Sequence, residues 1–356
     1  MSALVVPGPT SARHLSKTVM WITAGVSALV AFGIFAVLSA AGISEGFNLV
    51  AAVFVSAILF VLLSYVLSRI VEGRRKASDR LATGLVTTAF IVALLPLVSL
   101  VSTAFVNGLP RLDATFFSSS MRNVVGEGGG GLHAIMGTLE ITLAATVISV
   151  PIGIMTAIYL VEYGTGRLAR AITFFVDVMT GIPSIVAGLF AFALFAIVLG
   201  PGIRFGIGGA VALSILMIPV VVRSTEEMLK LVPNELREAS YALGVPKWLT
   251  IVKIVIPTAI GGIITGVMLS ISRIIGETAP LLIIVGMSTS MNYNLFSDRM
   301  ATLPVFVYTQ YASQGSDAQA YIDRAWTGAL VLIFIVMALN LIARLVSKLL
   351  APKGLR

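Results

Sequence analysis

The sequence predicts an all-α polytopic membrane protein with about eight transmembrane helices, since a bilayer core needs about 20 apolar residues per crossing. Three observations carry this. Hydrophobic residues make up 58% of the 356, and charged residues only 11%. The mean hydropathy is +1.02. Apolar runs of spanning length recur along the chain, and the alternation of a barrel strand is absent. Soluble domains carry about 25% charge, so a soluble enzyme and a disordered chain are both excluded as the main reading. There is no cysteine, which removes disulfides, iron–sulfur clusters and thiolate zinc sites. The two histidines, His14 and His133, are far apart in sequence, so no metal site is expected.

The spans are expected at 18–41, 48–70, 81–106, 135–162, 170–199, 206–222, 256–285 and 325–347. The first exceeds a signal-peptide core and lacks a clean cleavage site, so a retained helix is expected. The sixth is the weakest by length and contains Pro219. With the N-terminus placed inside, 18 of the 24 Lys and Arg fall on inner segments. Five, Arg111, Arg122, Arg204, Arg299 and Arg324, fall outside, and Arg273 lies within a span. That asymmetry predicts both termini in the cytoplasm. It also accounts for the net charge of +8 without nucleic acid, and Arg74-Arg75-Lys76 reads as an anchor near anionic headgroups.

Residues 1–72 read as a two-helix membrane extension and 73–80 as a cytoplasmic linker. Residues 81–350 read as a six-helix transmembrane domain with its core at 133–347. The outer loop holds Gly126-Glu127-Gly128-Gly129-Gly130-Gly131. It lacks the Gly-Lys-Ser/Thr ending of a phosphate loop and is expected to be a flexible spacer.

The inner segment 224–257 carries the most information. Ser224 and Glu227 have capping-box spacing, so a helix start is expected there. Pro233 suits the first turn of a second helix. Gly244 suits a left-handed stop, and Pro246 opposes continuation. A short amphipathic helix is therefore predicted over about 233–243, with Leu236, Ala239, Ala242 and Leu243 at helical spacing and Glu235, Arg237 and Glu238 as its charges. On composition alone it could rest on lipid or dock on a partner.

Glu238-Ala239-Ser240, three residues, Gly244, nine residues, Ile254, one residue, Ile256-Pro257 resembles the EAA loop of ABC importer permeases. The family pattern is Glu-Ala-Ala-x3-Gly-x9-Ile-x-Leu-Pro, and Ser240 and Ile256 depart from it conservatively. The resemblance implies a coupling helix that docks on a separate cytoplasmic ATPase. It places ATP on that partner, with no cofactor bound by this chain. Tyr159 to Gly164, Thr180 to Phe190 and Arg273 to Leu282 look like the A-type permease family of phosphate-specific ABC transporters. That likeness covers about 81–347 and implies several partners: a paralogous permease forming a heterodimer, an ATP-binding subunit dimer, and an extracytoplasmic phosphate-binding protein. The setting implied is a bacterial plasma membrane. Glu238, Ala239, Ser240, Gly244, Ile254 and Pro257 are the implied coupling residues.

The candidate substrate-pathway residues are Arg273, Glu277, Arg223, Thr180 and Ser184. Taken as one continuous helix, the seventh span places Gly262, Gly266, Ser270, Arg273, Glu277 and Pro280 within an arc of about 80°. A charge near mid-membrane should face protein or water. Arginine's planar fork suits phosphate oxygens. Two readings of Arg273 and Glu277 stand, a phosphate contact and a packing pair at i,i+4. For Arg223 the alternative is an inner anchor. Asp177 is expected to pair with Arg170 or another subunit, and Ile182-Pro183 to open its helix, exposing carbonyls with Thr180 and Ser184 or forming a packing kink. The alternatives for the chain are a permease for another oxyanion, such as molybdate or sulfate, and an ATP-independent secondary transporter. The latter would favour an inverted repeat, and none is evident. No acid, base and nucleophile set converges for an intramembrane hydrolase.

Overall fold

The computed structural model describes residues 15–42, 46–315 and 317–350. Arg13, His14, Lys353 and Arg356, and part of the turn between the first two spans, lie outside them. The described residues are helical, with no strand among them. The chain divides into two compact units, 1–102 and 103–356.

In the first unit, α1 (Lys17–Ala40) starts at Ser16, whose hydroxyl accepts from Val19 N. Helix α2 (Leu49–Val71) starts at Asn48, which accepts from Ala51 N. Helix α3 (Arg74–Gly108) begins three residues after α2 ends. The stretch read as a linker at 73–80 is thus helical from Arg74, because Gly73, at φ +92°, turns the chain in a single residue. Glu72 sits in that corner with its side chain fully buried. It accepts from Leu15 N at 2.8 Å, from the Ser68 hydroxyl at 2.7 Å and from Arg80 at 2.6 and 2.8 Å. The Arg80 guanidinium holds its carboxyl down at about 2.

In the second unit, a short turn α4 (Ala114–Ser118) leads to α5 (Leu132–Ile158), which closes in a π turn, Tyr159–Tyr163. Helices α6 (Gly166–Thr180) and α7 (Ser184–Leu199) meet at 110°. Then come α8 (Gly206–Lys230), α9 (Asn234–Ala242), α10 (Lys247–Thr250) and a second π turn, Ile251–Val255. Helices α11 (Ile256–Ile274), α12 (Ala279–Ile284), α13 (Leu303–Ala312) and α14 (Ala318–Leu350) complete it. Seven described helices are long and apolar enough to cross a membrane, eight if the bent pair counts as one span.

The weakest predicted span proves to be the centre. Helix α8 extends to Lys230 and is the most enclosed of the spanning helices. Its first turns, Gly206, Gly208, Gly209 and Ala210, are small because neighbours press on every side. A Cβ on Gly209 would stand 2.3 Å from Val285. Helix α5 packs against α8 so closely that a Cβ on Gly153 would meet Val221 at 2.6 Å. Ile141, Leu213, Met217, Ile274, Leu281 and Ile284 fill the core between α5, α8, α11 and α12. Because α8 runs unbroken through 224–227, the helix start expected at Ser224 does not occur. The Ser224 hydroxyl donates instead to Val221 O, inside the helix.

The glycine run is not a spacer. Arg324 on α14 is fully buried and donates to Gly126 O at 2.7 Å, Gly128 O at 3.1 Å and Gln310 Oε1 at 2.9 Å. Its guanidinium also stacks over Tyr321 at 4.5 Å. Positive φ at Gly126, Gly128 and Gly129 aims these carbonyls, and a Cβ on Gly131 would collide with the Phe116 ring at 2.6 Å.

Candidate functional site

The site is built from two broken helices and the helix between them. The first break follows from Gly181 and Pro183. Proline has no N–H, so the α6 ladder ends at Thr180, whose hydroxyl turns back onto Val176 O at 2.8 Å. Gly181 N and Ile182 N make tight-turn bonds to Val178 O and Met179 O, and α7 restarts with Pro183 at its N-cap. Thr180 is exposed and Ser184 half-buried beside this corner. The second break separates α11 from α12. Gly276 and Pro280 end the ladder at Ile274, and Glu277 N caps back onto Ile274 O at 3.1 Å. The seventh span is therefore not one helix, and the 80° arc drawn through it fails beyond Ile274.

Its small residues at four-residue spacing let another helix approach closely. A Cβ on Gly262 would meet Met228 Sδ at 2.2 Å, and one on Gly266 would meet Ser224 Oγ at 2.5 Å. Gly262 and Gly266 therefore seat α11 against the C-terminal half of α8. Beside them, Glu227, Thr265 and Ser347 help line a cavity of about 410 Å³.

Arg273 stands in the last turn of α11, exposed, with no hydrogen bond or ion pair among the described residues. The negative end of the helix dipole favours a cation there. Glu277 is half-buried in the break and likewise makes no ion pair among the described residues. The i,i+4 packing pair is thus not formed, because the helix that would align it has ended. Arg223 is the opposite case. It donates to Asp177 across from α6 and to Glu226 Oε2 at 2.7 Å, and Glu226 also accepts from Lys230 at 2.6 Å. Asp177 therefore pairs with Arg223 rather than with Arg170, whose Nε turns to Gly166 O.

The two motif segments touch. A Cβ on Gly188 of α7 would lie 2.5 Å from Pro280 Cα on α12. Arg223 adjoins Ser224, which packs on Gly266. Arg273, seven residues beyond Gly266, stands about 10 Å farther along α11. The two candidate arginines thus differ, Arg223 paired on α8 and Arg273 free of ion pairs among the described residues on α11.

Helix α9 matches the predicted amphipathic helix to within a residue at each end. Gly244 takes φ +76° and ends it, with Gly244 N on Tyr241 O and Val245 N on Ser240 O. Glu238, Ala239 and Leu236 are exposed, and Leu243 is 83% exposed with Trp248 and Tyr241 beside it. The apolar residues of the helix face away from the rest of the chain. Ser240, the departure from the family's alanine, is buried and bonds the Thr250 hydroxyl at 2.8 Å, joining α9 to α10. Ile254 is half-buried in the π turn, and Pro257 follows as the second residue of α11. With no N–H and a ring crowding the carbonyl four residues back, Pro257 favours the wider register, in which Ile256 N bonds Ile251 O.

Sequence reasoning missed Arg223–Asp177, Ser240–Thr250 and a buried pair between Glu162 and Arg237. The available signal was general: a carboxylate at the end of an apolar span needs a cation. Nothing local chose which one.

Spans broken beside charged groups, together with a short amphipathic helix whose apolar side chains are left bare, fit a membrane-embedded transport component. The chain belongs to the family of binding-protein-dependent transport system inner membrane components, whose model matches residues 149–355. It is similar to the phosphate transport system permease protein PstA 1 of Mycobacterium tuberculosis (strain ATCC 25618 / H37Rv), 49% identical over 276 residues, 77% of this chain and 88% of that protein. The PstA of Mycobacterium leprae (strain TN) is 48% identical over 281 residues, 78% of this chain and 90% of that one. The PstA of Haemophilus influenzae (strain ATCC 51907 / DSM 11121 / KW20 / Rd) is 39% identical over 273 residues, 76% and 94%.

Proposed function

We propose that this chain is the membrane-spanning permease subunit of an ATP-driven importer of inorganic phosphate. It forms the translocation path with a paralogous permease and is driven through α9 by a separate ATPase dimer, which holds the ATP. An extracytoplasmic phosphate-binding protein supplies the substrate. The setting is a bacterial plasma membrane, with both termini cytoplasmic by the 18-to-5 distribution of Lys and Arg.

The observation that carries the reading is the free Arg273 on a broken helix, in a chain whose curated relatives are named phosphate permeases. A guanidinium without an internal carboxylate offers its donors to an arriving oxyanion. Arg223, already shared between Asp177 and Glu226, holds an anion only by exchanging one of those partners. Phosphate would therefore meet the free arginine first and the paired one nearer the cytoplasm. Release is easier from a site where carboxylates compete.

The test is phosphate uptake by the assembled transporter in vesicles. Arg273→Ala should abolish uptake with assembly unchanged, and normal uptake by that variant removes Arg273 from the path. Wild-type uptake resisted by molybdate or sulfate competitors fits phosphate, whereas loss to either one reassigns the oxyanion. Purification in mild detergent should bring down an ATP-binding chain. Full-rate transport by the isolated polypeptide excludes the ATP-driven reading.

A further inference from the structure

Glu162 lies in the π turn that ends α5, and its side chain is only 4% exposed. A carboxylate so enclosed needs a cation, and the cation comes from 75 residues away. Arg237 of α9 donates to Glu162 Oε1 through Nη2 at 2.8 Å and Nε at 3.1 Å. The same guanidinium donates to Val232 O at 2.7 Å and Leu229 O at 3.0 Å, carbonyls at and just beyond the C-terminal end of α8. One arginine thus fastens α9 to two membrane helices at once. A second tie follows at the start of α10. Lys247 Nζ donates to the backbone oxygen of Glu162 and stands 4.8 Å from the centre of the Tyr163 ring. The π turn inserts one residue into the last turn of α5 and so sets the direction of Glu162.

We propose that Glu162 is the positioning residue that makes α9 and the inner end of α5 one rigid body. A push on α9 from the cytoplasm is then delivered to α5, the helix packed along α8. The polar ties carry the connection because the apolar side chains of α9 do not; Leu243 and Leu236 face outward. Ser240–Thr250 holds the other flank, toward α10 and α11. This inference rests on the coupling role proposed above for α9.

The measurement is phosphate carried per ATP hydrolysed in the reconstituted transporter. Glu162→Gln keeps the size and one acceptor but removes the charge. It should lower that ratio about tenfold, the scale of one charge-assisted contact, while the ATPase still co-purifies. The exchange Glu162→Arg with Arg237→Glu should recover most of the loss, which a purely steric role would not allow. The chain has no cysteine of its own, so Glu162→Cys with Arg237→Cys gives a defined pair within it. Unbridged, this pair should be poorly coupled. Joined by a short bis-thiosulfonate reagent, it should recover uptake, since the two positions move together. Loss of uptake on bridging, reversed by reductant, overturns the rigid body, and so does a wild-type ratio in Glu162→Gln. Absence of phosphate uptake or of an ATPase in the wild-type complex overturns the proposed function instead.

Discussion

At the scale of single residues, the two pathway arginines differ in what already holds them. Arg223 is neutralised within the chain, whereas Arg273 is left to whatever arrives. Gly188 is a point of close approach between the motif segments. Gly188→Val would push its side chain into Pro280, and overpacking of this kind costs about 1–3 kcal/mol. The expected result is a lower unfolding temperature for the purified complex and reduced uptake; unchanged values would mean α7 and α12 are not held together there. Glu72 gives a pH prediction. Its carboxyl is held at about 2, below the ordinary 4.5, by Arg80. A depressed pKa stabilises fully above the unfolded value, and the contribution disappears as pH falls through the folded one. The contribution of Glu72 to thermal stability should therefore be present in full above about pH 4.5 and be lost between there and about 2. Glu72→Gln should flatten that acid limb in a melting series.

At the scale of elements, the breaks and caps were the most legible features. Gly244 marked the end of α9 and Pro183 the interruption between α6 and α7, because both residue types act through the backbone and need no partner to do so, whereas the break before Pro280 lies in a span read as one continuous helix. Gly244→Ala places a Cβ in left-handed backbone, costing about 1–2 kcal/mol. It should weaken ATPase association, read as a lower yield of co-purified ATPase. The false helix start at Ser224 has the same root in reverse. A capping pattern competes with continued helix, and here packing on Gly266 and Met228's seat against Gly262 keep α8 intact. The glycine run was misread because its order comes from Arg324, some 200 residues away. Arg324→Met should leave Gly126, Gly128 and Gln310 without their donor and lower the unfolding temperature. An unchanged melt would assign the loop's order to the glycines themselves.

At the scale of the whole molecule, composition alone committed the chain to the membrane, and the Lys and Arg asymmetry proposes its orientation. A single cysteine at Glu238 should react with an impermeant thiol reagent only from the cytoplasmic face, and one at Gly128 only from outside. The opposite pattern would invert the topology. Apolar content, span length, proline and glycine punctuation and the coupling-loop spacing are local properties, so the sequence alone was enough to determine the fold class, the family resemblance and the place of α9. Pairing is not local. That the span expected to be weakest is the central one, that Asp177 answers Arg223, that Glu162 pairs with Arg237 and that Arg273 has no ion pair among the described residues were decided only by tertiary structure. An ion or a small residue commits itself only once helices distant in sequence come within a few ångströms and water is gone.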